Sequence, residues 1–193
     1  MTKNRLEAFS DGVLAIIITI MVLEFKVPND TTFESVLKLS HKFLSYVLSF
    51  IYVGIYWNNH HHMLHTVKSV NGKILWANLH LLFWLSLIPF TTAWIGEHHF
   101  APFPMMLYGI VLLMNAIAYF ILQNTIIANH GKDSILSKAL GKDFKGKVSV
   151  VLYSIAVALS NYFTVMSGIL YIIVAIMWLI PDKRIEKILK EEN

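Results

Sequence analysis

Apolar positions in this chain come in long blocks separated by short polar stretches. Four blocks, residues 6–25, 39–60, 74–95 and 103–127, each reach the ~20 mostly apolar residues that a helix needs to cross about 30 Å of hydrocarbon. A further apolar region runs from Val148 to Ile180, 33 residues in all. Its pattern fits one over-long helix or two short ones turning at Ser160, Asn161 and Tyr162, and hydropathy does not choose between them.

Basic residues make the choice. Lys3 and Arg5 precede the first block, Lys68 and Lys73 separate the second from the third, and Lys132, Lys138, Lys142, Lys145 and Lys147 follow the fourth. Lys183, Arg184, Lys187 and Lys190 come after the last block. With six spans, 13 of the 16 Lys and Arg residues fall on one side, and only Lys26, Lys38 and Lys42 on the other. Cytoplasmic loops carry such an excess, so both termini are expected inside. Five spans would place the basic tail from Pro181 outside. The expected fold is therefore an all-α integral membrane protein: one six-helix transmembrane domain over residues 1–193, spans 6–25, 39–60, 74–95, 103–127, 146–160 and 163–180. The polar stretch 129–147 reads as a loop with Gly131, Gly141 and Gly146 as breakers. No internal repeat stands out.

Composition agrees. The chain is 56% hydrophobic and 15% charged, against about 25% charged in soluble domains. Cysteine is absent, which removes disulfides, thiolate metal sites and thiol nucleophiles. The net charge of +4 belongs to cytoplasmic loops rather than to a nucleic-acid surface. A cleaved leader is not expected, because the first apolar run carries Asp11 and Glu24 and no A-x-A-like site follows.

The first span is the unusual one. Its opening third holds Arg5, Glu7, Ser10, Asp11 and Gly12. An acid at mid-membrane costs roughly 2.5–3.5 kcal/mol on insertion scales, so Asp11 should face protein or water. Asn58, Asn59, His60, His61, Asn78 and His80 are its candidate partners. Further along, Ile16, Thr19, Ile20 and Leu23 share one stripe of the helix. Such a stripe packs against another helix, or lines a pore in which each residue becomes a ring; spacing alone leaves both open.

The run Arg5, Phe9, Ser10, Asp11, Gly12, continued by Ala15, Ile16, Thr19 and Leu23, resembles the RxxxFSDG signature of the transmembrane protein 175 family. The resemblance implies a potassium-permeable channel of the prokaryotic, single-repeat type, a homotetramer in the lipid of a bacterial or archaeal cell membrane. It implies a pore lined by the first helix, Ile16 as the narrowest ring, Thr19 contributing to selectivity and Leu23 as a further constriction, with Ile20 on the same stripe. It also implies that Arg5, Ser10 and Asp11 tie this helix to the next two through Trp57, Asn59, His60 and Asn78. No TVGYG-type carbonyl filter is present, so side chains must select, which favours modest K⁺ over Na⁺ preference. No cofactor is expected beyond permeant K⁺, and no nucleic-acid partner.

Other polar features are weaker. His60, His61, His62 and His65 cluster at one end of the second span, and the i, i+4 pair His61 and His65 has chelating spacing. No Cys or acid in that cluster completes a site, so they read as interface histidines unless subunits share ligands. Glu97, His98 and His99 lie in an outside loop that pH or divalent ions could reach. Trp57, Trp76, Trp94 and Trp178 read as interfacial anchors. A secondary transporter would show broken helices in matching halves, yet Pro89 has no counterpart. A membrane hydrolase lacks its nucleophile motif, so no enzyme is expected.

Overall fold

The computed structural model describes residues 2–131, 133–140 and 143–179. The basic tail from Pro181, Ile180 at the end of the last expected span, and Lys132, Gly141 and Lys142 of the polar loop lie outside the described residues. Nine helices occur among the described residues, in the order α1 (Lys3–Leu23), α2 (Phe33–Leu37), α3 (Ser40–His65), α4 (Gly72–Ser86), α5 (Ile88–Glu97), α6 (Pro102–His130), α7 (Ile135–Leu140), α8 (Phe144–Leu159) and α9 (Thr164–Leu179). The stretches Lys3–Leu23, Gly72–Glu97 and Pro102–His130 are long and apolar enough to cross a membrane, and Thr164–Leu179 is a shorter apolar helix.

Local chemistry sets the breaks. The Asn71 side chain accepts from the Ile74 amide at 3.0 Å and starts α4. Pro89 has no N–H to give the Leu85 carbonyl, and the helix divides at Leu87. There the Asn115 amide of α6 reaches the Trp84 carbonyl at 3.4 Å. Gly131 closes α6 with φ of 88°, a conformation that costs glycine least. The polar stretch 129–147 is not the plain loop expected. It carries α7, and Gly146 sits inside α8, where its amide donates to Asp143 at 3.2 Å and so helps cap the helix.

Buried side chains form two cores. The first joins Leu6, Leu14, Ile17 and Met21 of α1 to Leu64 of α3, Ile74, Leu81 and Leu85 of α4, and Leu122 of α6. The second contains Tyr52, Tyr108, Tyr153 and Tyr171, with residues of α3, α5, α6, α8 and α9 and none of α1. Its phenols are paired internally. Tyr153 donates to Tyr52 at 3.2 Å, Tyr171 to the Met105 carbonyl at 3.1 Å, and Ser49 lies 3.0 Å from the Tyr108 hydroxyl. Thus α6 is shared between the two cores, packing on α4 on one side and on α8 and α9 on the other.

Gly109 lets α6 approach α8 and α9. A Cβ there would overlap the Tyr171 hydroxyl and come within 2.9 Å of Val157 Cγ2. Gly109→Ala is therefore expected to cost about 2–3 kcal/mol, the upper part of the range for overpacking, read as a lower melting temperature in detergent. An unchanged melting temperature would contradict this packing.

Candidate functional site

The first helix has two different faces. Leu6, Ser10, Leu14, Ile17 and Met21, spaced by four, four, three and four residues, are buried against α3, α4 and α5. Ile16 is 57% exposed and Leu23 78%; Thr19, Ile20 and Phe9 are exposed beside them. At 100° per residue the two stripes are centred roughly 120° apart. Ile16 and Ile20 border a surface groove of about 480 Å³ between α1 and the Ser86–Ala93 kink region. The Thr19 hydroxyl donates to the Ile16 carbonyl at 2.9 Å. That bond uses its proton and leaves oxygen lone pairs to accept or coordinate.

The buried face is held by one directional chain of hydrogen bonds. His60 Nε2 lies 2.7 Å from Asn78 Oδ1, Asn78 Nδ2 donates to Ser10 Oγ at 2.9 Å, and Ser10 donates to the Leu6 carbonyl at 2.8 Å. Asn78 spends its N–H on Ser10, so its oxygen must accept and His60 must carry its proton on Nε2. Three helices, α1, α3 and α4, are joined in this way. On the rim, the Trp57 indole donates to Asp11 Oδ1 at 3.0 Å. Asp11 is thus served by Trp57 and not by the histidine and amide candidates, and Trp57 is more than an interfacial anchor.

Several expected members stand apart. Asn59 is buried, but its amide donates to the Ile55 carbonyl at 2.8 Å, and its own carbonyl accepts from Tyr119 at 3.2 Å, placing it in the packing of α3 on α6. Arg5 and Phe9 are exposed. At Gly12 an added Cβ would meet nothing within 4 Å. Sequence reading missed Lys3, whose ammonium donates to the His65 carbonyl at 3.0 Å and lies 3.8 Å from Glu7; the Lys3–Glu7 i, i+4 spacing was the available signal. Among the described residues no three or more His, Cys, Asp or Glu side chains converge on a metal position.

These features define a multi-pass helical membrane protein whose first helix is anchored from one side and bare on the other. Residues 5–89 match the family described as Endosomal/lysosomal potassium channel TMEM175. A potassium channel of Chryseobacterium sp. (strain P1-3) is 59% identical over 191 residues, covering 99% of this chain and 100% of that one. The crystal structure of a lysosomal potassium-selective channel TMEM175 homolog from Chamaesiphon minutus superposes with a TM-score of 0.81 at 29% identity, covering 93% of this chain and 97% of that one. The human protein named Endosomal/lysosomal proton channel TMEM175 is 36% identical over 96 residues, 43% of this chain and 19% of its own length. The chain belongs to the TMEM175 family, a family of channels and not of enzymes.

Proposed function

We propose that this chain is one subunit of a homotetrameric, potassium-permeable cation channel of a bacterial or archaeal cell membrane, and that four copies of α1 surround the pore. Six spans cross the lipid and both termini are cytoplasmic. The observation that carries the reading is the bare Ile16–Thr19–Ile20–Leu23 stripe, set on a helix whose other face is hydrogen-bonded and packed. An apolar stripe with no partner in its own subunit can face lipid at little cost, but here it carries the Thr19 hydroxyl, and in a symmetric assembly each of its residues becomes a ring. The naming of the Chryseobacterium and Chamaesiphon relatives as potassium channels supports potassium as the permeant ion.

In such a pore each residue has a physical role. Rings of Ile16, Ile20 and Leu23 offer a passing ion no polar partner, so they narrow the path and control its wetting. The Thr19 ring offers oxygens to a cation that has shed part of its hydration. The Thr19 proton is already given to the Ile16 carbonyl, so the oxygen is poised to face a cation. A single hydroxyl ring discriminates less than stacked carbonyl rings, hence modest preference for K⁺ over Na⁺.

The test is the bi-ionic K⁺/Na⁺ reversal potential of purified protein in a planar bilayer. Discrete unitary currents with a K⁺-favouring potential are expected, whereas slow, saturable, coupled flux would indicate a transporter. Thr19→Ala should move the reversal potential toward zero with the unitary current retained. An unmoved potential would remove Thr19 from selectivity.

A further inference from the structure

Near its C-terminal end α3 carries a second arrangement that the pore does not use. His61 and His65 lie on one exposed face, one turn apart, with ring centroids 6.3 Å apart and planes at 54°. His61 also stacks on Trp57, at 6.3 Å and 26°, and Trp57 is the donor to Asp11 of α1. Lys3 sits at the same end, its ammonium on the His65 carbonyl and beside Glu7.

We infer that His61 and His65 form a binding site for a divalent transition-metal ion such as Zn²⁺ or Ni²⁺. Two imidazoles at i, i+4 on one helix are a natural bidentate pair, and imidazole suits these ions. With metal–nitrogen distances of about 2.0–2.1 Å and a tetrahedral angle, the two rings would stand roughly 5 Å apart. The pair is therefore about 1 Å too open, a gap that χ rotations of two exposed side chains can close. Water, or ligands from a second copy of the chain, complete the sphere. Closing the pair draws His61 off its stack on Trp57, so metal binding is coupled to the indole that holds Asp11 and, through it, to the first helix. The ligand of this site is the metal ion, distinct from the permeant cation, because K⁺ prefers oxygen donors.

The binding test does not depend on the channel reading. Protein freed of any affinity tag is titrated with Zn²⁺ in detergent by calorimetry. About one ion per subunit is expected, or one per two subunits where a second copy supplies ligands. His61→Gln and His65→Gln should each weaken binding at least tenfold and together abolish it, while His80→Gln, which removes an imidazole on α4 that accepts from Trp84, leaves it unchanged. A double variant that elutes as wild type yet binds equally well, or wild type that binds no Zn²⁺, overturns the site. In bilayers, Zn²⁺ on the side of this end should change open probability in wild type and not in the double variant; an equal effect in both overturns the coupling to α1.

Discussion

Ile16→Ala is expected to raise unitary or macroscopic cation current on the order of tenfold, because each ~1.4 kcal/mol removed from a barrier is a factor of ten and the apolar ring is the barrier to wetting. The neighbouring Ile17 gives a sharp control. It is 3% exposed and packs in the first core, so Ile17→Ala should leave the current per channel unchanged while costing about 2–4 kcal/mol of stability through a cavity. Ile16→Ala should cost little stability, since Ile16 is mostly uncovered within its subunit. Planar-bilayer recording with melting temperatures in detergent reads both. If Ile17→Ala opened the channel and Ile16→Ala only destabilised it, the face turned toward the axis would be the other one.

Asn78→Ala is expected to be the most damaging single change in the anchoring network. Asn78 is fully buried and simultaneously accepts from His60 and donates to Ser10. Removing it leaves the His60 N–H without a partner. The typical penalty for an orphaned buried group is about 1–3 kcal/mol, larger than the ~0.6 kcal/mol average for interhelical hydrogen bonds in one bilayer protein. The larger figure applies because Asn78 is fully buried. A loss of about 2 kcal/mol per subunit should lower the melting temperature and the yield of assembled protein. Ser10→Ala should lose less, since His60 and Asn78 keep each other. Normal assembly and melting of Asn78→Ala would show that the three helices are held by packing alone.

The helices themselves were legible because crossing hydrocarbon demands long apolar blocks, which hydropathy reads directly. Their ends were less so. Polar Lys3, Asn4 and Arg5 are helical, as are the histidines up to His65: an apolar block marks what suits lipid, while the backbone winds on past it. The break at Leu87 was foreshadowed by Pro89, but the short α2 and α7 lie in polar connections without a span signal. The two faces of α1 were undecidable from period alone, since Leu14, Ile17 and Met21 are as apolar as Ile16, Ile20 and Leu23. Spacing marked the Ile16, Thr19, Ile20 and Leu23 stripe, and only the resemblance assigned it to a pore. The placement of Asn59 failed for a similar reason. Asn59 and His60 are consecutive, about 100° apart on a helix, so both could not reach α4. Several hydrogen bonds in and around the second core join residues 43 to 119 positions apart, beyond any local pattern.

The core built on Tyr52, Tyr108, Tyr153 and Tyr171 draws nothing from α1, and the family match ends at residue 89, before α6, α8 and α9 begin. Chimaeras that exchange α8 and α9 with those of a distant relative are therefore expected to keep the parent's permeation.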